Sequence, residues 1–475
     1  VRTVDGRETG PKEATAEMFL DKQGKAIPWI KAVVGGKSVG VPGVLKALKK
    51  AHDQYGLLPW NVLFEDAIKL CEQGFIVSPR LEKLLTMEFN PGVSQLNATK
   101  SYFFPNGMPV KAGTLLKNEP LAKVYRSLAK NGVEPFYHGW IAKKIVQAVQ
   151  QAEVSPGKLT IEDLNSYQAK QSPAVCGTYH QYNVCGMGPP SSGGVAVIQT
   201  LEQLEPFNLS QYKPNALEAV HLFTQSSRLA FADRNQYLAD DDFVNVPVNG
   251  LLDDSYLASR SKLININKDM GKASAGKPFG AIARAKDQAY EMPSTSHISI
   301  VDSKGNAISM TTSVEMAFGS ALMVEGFMLN NQLTDFSLAP SEQGVPIANS
   351  IEPFKRPRSS MAPTMVFNSD HTLKLVLGSP GGSRIINYVT QTIIGILDWK
   401  LAPQQAINLP KVTNRNKVTT LEKQTSIAHL KADLQAKGHQ VFLRDLNSGL
   451  HAIEVTKDGL LGGADPRREG RVLAK

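Results

Sequence analysis

The sequence predicts an α/β sandwich of stacked sheets and helices, and three observations carry that expectation. The first third is punctuated as helices, with proline near the start and glycine just past the end of successive apolar-periodic segments. From Thr295 onward the pattern changes to short alternating strands joined by tight turns. Helical segments recur before and between those strands, as expected of sheets covered by helices.

In chain order, 42–55 closes at Gly56 and 59–73 closes at Gly74. Helices are expected at 118–131, 135–153 and 159–167, and strand at 173–188. A long helix spans 215–237, with Leu217, Val220, Phe223 and Ala230 on one side. Residues 297–301 then alternate, 303–306 form a turn, and 307–312 alternate back as a partner. Strands follow at 326–329, 363–367 and 373–378, helices at 385–397 and 428–437, and closing strands at 441–444, 451–455 and 460–463.

Bulk composition excludes several classes of function. The chain has 475 residues, 42% hydrophobic and 20% charged, an ordinary globular balance. No apolar run approaches the ~18 residues of a membrane span. The net charge of +9 is spread over isolated pairs such as Lys49-Lys50, Lys143-Lys144 and Arg467-Arg468, so no nucleic-acid partner is expected. Three cysteines exclude a disulfide scaffold, although Cys176 and Cys185 face each other across an expected two-residue hairpin loop. Whether they pair or stay free is open from the residues.

There is no His-Glu-x-x-His, no His/Cys metal spacing and no Gly-x-Ser-x-Gly elbow, so neither a metal nor a serine-triad site is expected. The tail Gly35-Gly36-Lys37-Ser38 has Lys31 where a phosphate loop needs glycine. His297, His180 and His221 read as structural.

Ser294-Thr295-Ser296-His297 leads from a polar, Lys/Gly/Ala-rich approach at 268–286 directly into the hairpin. Cleavage before Thr295 would place a free α-amine, of ordinary pKa near ~8, beside a hydroxyl that it can activate as general base. A Ser/Thr-rich turn opening a strand has the same spacing. Gly378-Ser-Pro-Gly-Gly-Ser-Arg384 lies between a strand and a helix, where two backbone N–H groups can converge as an oxyanion hole or simply form a tight turn. Arg356-Pro-Arg-Ser-Ser-Met361 offers hydroxyls for a carboxylate or for capping a turn, and Leu329 to Phe336 groups amides with Asp335.

Taken together, Thr295-Ser-His, Leu329-Asn-Asn-Gln-Leu-Thr-Asp-Phe-Ser337, Arg356-Pro-Arg-Ser-Ser-Met-Ala-Pro-Thr364 and Gly378-Ser-Pro-Gly-Gly-Ser-Arg-Ile385 resemble the γ-glutamyltranspeptidase family in motif and order. The likeness extends to Asp5-Gly-Arg7-Glu8, Pro189-Pro-Ser-Ser-Gly-Gly194, Ala232-Asp-Arg234 and Gly463-Ala-Asp-Pro-Arg467. It implies an α+β fold, the four-layer αββα sandwich of N-terminal-nucleophile hydrolases. A precursor would cut itself between Ser294 and Thr295 into a large-subunit region, 1–294, and a small-subunit region, 295–475, which stay associated as a heterodimer.

Carried over by that resemblance, Thr295 is the nucleophile, Ser313 hydrogen-bonds it, and Gly381 and Gly382 hold the oxyanion. Arg7 holds the substrate α-carboxylate with Ser359 and Ser360, and Glu315, Gln332 and Asp335 surround the α-amino group. The implied activity is γ-glutamyl hydrolysis and transfer on glutathione-like compounds, with an amino acid or peptide as acceptor, no cofactor, and a periplasmic or secreted location. A glutaryl-removing cephalosporin acylase of the same fold and a non-catalytic relative are the alternatives. Only four residues precede Asp5, where the family has a longer segment, so a fragment is expected. Between Asp335 and Arg356 no tyrosine occurs, in contrast to members with a tyrosine-bearing lid, so an open pocket is expected.

Overall fold

Six antiparallel strands form the central sheet, in the order Gly459–Ala464, His451–Thr456, Leu373–Gly378, Thr364–Phe367, Tyr182–Gly186 and Val175–Tyr179. The structure, a computed structural model, describes residues 1–287, 289–290, 292 and 294–474. Val184, Val366, Leu375 and Leu377 are buried in a core shared with the helices Gly193–Glu202, Leu217–Tyr237 and Ile385–Leu397. The hairpin Ser296–Val301 and Ala307–Thr312 packs against Leu373–Gly378, and its first strand also packs against His451–Thr456. This stacking of helices, sheet and a second strand layer is the α+β arrangement that the family resemblance implies.

The hairpin's alternation sorts its side chains. His297 is buried, whereas Ile298, Ile300 and Ile308 are about half exposed, at 49%, 47% and 53%. Residues 34–169, joined by 321–329, enclose a second core of mainly helical segments.

Several elements differ from expectation for local reasons. The segment 59–73 divides into a 3₁₀ turn, Trp60–Phe64, and a helix, Glu65–Gln73. The segment 135–153 divides at His138-Gly139 into Glu134–Tyr137 and Trp140–Gln150, because Gly139 takes an extended backbone and begins the second helix. The helix Gly193–Glu202 escaped sequence reading because residues 193–201 are all buried, which erases amphipathic periodicity. The polar strand Arg2–Asp5 pairs with Lys170–Pro173, a long-range partnership that no local pattern signals. Cys176 and Cys185 are opposed in register and form a disulfide.

Candidate active site

Thr295 enters the hairpin with φ = +90°, a region that β-branched residues avoid. Such a residue stores about 1–3 kcal/mol of strain, here about the N–Cα bond of Thr295 that adjoins the peptide bond to Ser294. Two contacts fix the geometry. The Thr295 hydroxyl donates to Ser313 Oγ at 3.0 Å, and the Ser294 carbonyl accepts from the Gly381 N–H at 3.1 Å. The nucleophile candidate and the Gly381 N–H, a candidate oxyanion donor, thus sit on either side of one peptide bond.

Both glycines of the candidate oxyanion loop have positive φ, +143° at Gly381 and +58° at Gly382. A Cβ at Gly381 would also lie 2.8 Å from the Tyr388 ring. The loop follows the buried strand Leu373–Gly378 and runs through the turn Gly382–Arg384 into the helix Ile385–Leu397, so rigid elements anchor both of its ends.

Ser313 relays the contact onward. Its Oγ also accepts from the Glu315 N–H at 2.9 Å, while Glu315 Oε2 accepts from Asn331 Nδ2 at 2.5 Å. Asn331 directly precedes the 3₁₀ turn Gln332–Asp335, so Glu315, Gln332 and Asp335 are brought to one neighbourhood. The side-chain oxygen of Gln332, Oε1, is buried without a hydrogen-bond partner. It is an acceptor available to an ammonium.

Arg7 and Asp335, expected on opposite ends of a zwitterion, touch directly: Arg7 Nη2 donates to Asp335 Oδ2 at 2.5 Å. The guanidinium is also fixed through Nε to the Pro357 carbonyl and through Nη2 to the Arg358 carbonyl, both at 3.1 Å. Burial opposes the Arg7 charge, but Asp335 and Glu8 outweigh it and hold Arg7 above its ordinary value. Glu8 is pushed up to about 7 by burial despite Arg7.

Ser359 and Ser360 are buried, and their hydroxyls have protein partners. Ser359 Oγ accepts from the Met361 N–H at 3.0 Å, and Ser360 Oγ accepts from Arg234 Nη2. Arg234 also donates through Nε to Ser192 Oγ at 2.8 Å, which ties the loop 189–194 to this wall. Between Asp335 and Arg356 the chain forms a small hairpin, Ser341–Glu342 with Val345–Pro346.

His297 has no catalytic contact. Its Nδ1 meets Thr311 Oγ1 at 2.8 Å and its Nε2 meets Ser299 Oγ at 3.0 Å. Burial pulls it down to about 3, so the ring is neutral. Sequence reading gave no role to Asn331, Arg234 or Arg468. The first two lay inside quoted motifs, whereas Arg468 donates to the Thr295 carbonyl across 173 residues, a contact with no local signal.

A family model described as Gamma-glutamyltranspeptidase matches residues 1–475. The chain is 34% identical to the glutathione hydrolase proenzyme of Bacillus subtilis (strain 168), over 99% of this chain and 80% of that protein. It is 37% identical to the glutathione hydrolase proenzyme of Escherichia coli (strain K12), over 98% and 80% respectively. A solved structure of cephalosporin acylase from Bacillus halodurans superposes with a TM-score of 0.86 at 25% identity, covering 100% of this chain and 84% of that one.

Proposed function

The chain belongs to the gamma-glutamyltranspeptidase family, and from that premise we propose that it is an autoprocessing γ-glutamyl hydrolase and transferase with Thr295 as nucleophile. One observation carries the reading: Thr295 Oγ1 lies on Ser313 while the Ser294 carbonyl lies on the Gly381 N–H. In maturation, Thr295 Oγ attacks the Ser294 carbonyl carbon and the negative oxygen rests on Gly381. The C–N bond breaks, leaving an ester to Oγ and a free Thr295 amine. Water then hydrolyses the ester, so Ser294 ends as a carboxylate and Thr295 regains its hydroxyl.

In turnover the new amine takes the Oγ proton, and Oγ attacks the γ-amide of a small-molecule donor. Gly381 and Gly382 hold the oxyanion, the amine leaves with a proton, and a γ-glutamyl ester forms on Thr295. Water or an amino-acid or peptide acceptor then takes the acyl group. Arg7, with Ser359 and Ser360, orients the α-carboxylate. Asp335, Glu315 and Gln332 orient the α-ammonium.

Regions 1–294 and 295–475 remain together as a heterodimer, an arrangement supported by the proenzyme relatives and by the shared hydrogen bonds of Arg7 with residues 335, 357 and 358. The disulfide supports a periplasmic or secreted setting. No described helix is long and apolar enough to cross a membrane.

The acylase neighbour motivates a second reading, removal of a glutaryl side chain. A glutaryl group lacks the α-ammonium that Asp335, Glu315 and Gln332 would receive, so these residues favour γ-glutamyl donors. Rates on γ-glutamyl and glutaryl anilides separate the two readings. A preference for γ-glutamyl is expected, and a large preference for glutaryl would replace it with the acylase reading.

A further inference from the structure

We propose that Arg468 is a positioning residue whose charge depresses the α-amine pKa of Thr295 and so keeps that amine neutral as a base. The inference rests on the amine-based reading above. Arg468 Nη1 donates to the Thr295 carbonyl at 3.2 Å, and Nε donates to the Asn447 carbonyl at 3.1 Å, so the guanidinium is clamped between the nucleophile and the 447–449 loop. The third guanidinium nitrogen, Nη2, is buried without a hydrogen-bond partner.

Gly449 makes this approach feasible. A Cβ there would lie 2.5 Å from the Pro380 ring of the oxyanion loop and 2.7 Å from Arg468 Cδ. Arg468 is therefore packed beside the loop that carries Gly381 as well as bonded to Thr295. An α-amine and a carbonyl of the same residue are only a few ångströms apart. A cation held at that carbonyl opposes a second positive charge on the amine, and in a partly buried site this repulsion displaces a pKa by about one unit or more.

Among the cations near the hairpin, Arg468 is distinguished by its hydrogen bond to the Thr295 carbonyl. On the strand of Thr295 itself, His297 is neutral. Among the strands packed on it, Ala307–Thr312 carries no titratable side chain. Leu373–Gly378 and His451–Thr456 contribute Lys374 and Glu454, which pair with each other at 2.8 Å, and His451, which burial pulls down. Of the nearby loops, 313–315 contributes Glu315, bonded to Asn331, and the oxyanion loop contributes Arg384, followed by Tyr388, whose phenol burial pushes up to about 12. Asp465 is engaged by Ser448 and Arg467, and burial together with Arg80 makes Arg468 less basic than an ordinary arginine, pulling it down to about 10. At neutral pH Arg468 remains charged.

The test compares wild type, Arg468→Lys and Arg468→Gln after maturation. The pH dependence of cyanate carbamylation of the Thr295 amine is read by mass spectrometry, alongside the acidic limb of kcat/KM on a γ-glutamyl anilide. The amine must be neutral to react in both assays. Arg468→Gln is expected to move both limbs to higher pH by about one unit, while Arg468→Lys retains most of the depression. If both variants keep the wild-type limbs and lose only amplitude, Arg468 is structural and the proposal fails. Mature, active enzyme whose limbs do not move in Arg468→Gln overturns this inference alone, whereas a chain that never exposes Thr295 overturns this inference and the proposed function together. Should Arg468→Gln fail to mature, a wild-type amine titrating at the ordinary ~8 or above would by itself reject the proposal.

Discussion

At the scale of residues, the peptide bond before the strained Thr295 faces the proposed nucleophile, bonded to Ser313, and the proposed oxyanion donor Gly381. Gly381→Ala would drive a Cβ into the Tyr388 ring and displace the N–H from the Ser294 carbonyl. Loss of one such donor lowers kcat by about 10²–10³-fold, so a mature Gly381→Ala enzyme is expected to fall by that factor with a smaller change in KM. Arg7→Ala addresses recognition instead. Losing hydrogen bonds to a charged group costs about 1.5–3 kcal/mol, so KM for γ-glutamyl anilide is expected to rise by roughly 10–150-fold while cleavage proceeds. Blocked maturation in Arg7→Ala would assign Arg7 to folding, and steady-state kinetics with electrophoresis of the same preparation separates the outcomes.

At the scale of elements, the hairpin that follows Thr295 is seated by a contact that no sequence pattern announces. A Cβ on Gly378, at the end of its strand, would lie 2.2 Å from His297 Cε1. Gly378→Ala therefore has to push the buried imidazole and with it the start of the hairpin. Overpacking of this kind costs about 1–3 kcal/mol, and urea unfolding is expected to report a loss in that range together with slower cleavage. An unchanged midpoint would mean that the hairpin is not held by this contact.

The same elements show what was legible from sequence. The hairpin at Thr295, the strand before Gly378 and the helix after Arg384 were all readable, because alternation, turn residues and paired glycines are local signals. Helix Gly193–Glu202 was hidden by being buried all round, and the pairing of Arg2–Asp5 with Lys170–Pro173 depends on a distant partner. In the site, Thr295, Ser313 and the glycine pair were assigned from family motifs, and the geometry places Thr295 with Ser313 and Ser294 with Gly381. The direct contact of Arg7 with Asp335 and the reach of Arg468 to Thr295 arise only when segments more than 150 residues apart meet.

At the scale of the whole molecule, the site binds the two halves of the chain together, since Arg7 from the first half is clamped by residues 335, 357 and 358 of the second. Buried Glu8, raised to about 7 from an ordinary 4.5, makes that seam sensitive to pH. The native state then holds its proton between pH 4.5 and 7 where the unfolded chain has lost it, so stability falls as pH rises through that window. Each unit of pH costs at most about 1.4 kcal/mol. Thermal melts of wild type and Glu8→Gln at pH 5 and 7.5 are expected to show the wild type losing stability relative to the variant. A difference that does not change with pH would place Glu8 in a more solvated setting.

Every turnover step proposed for this enzyme requires the bond between Ser294 and Thr295 to be broken, because the base is the amine that this cleavage creates. The most direct measurement is denaturing electrophoresis of the active protein, with N-terminal sequencing of the smaller band, beside Thr295→Ala. Two fragments are expected, the smaller beginning at Thr295 and running to Lys475, with the Thr295→Ala chain intact and inactive. A fully active wild-type chain that remains in one piece would contradict the mechanism.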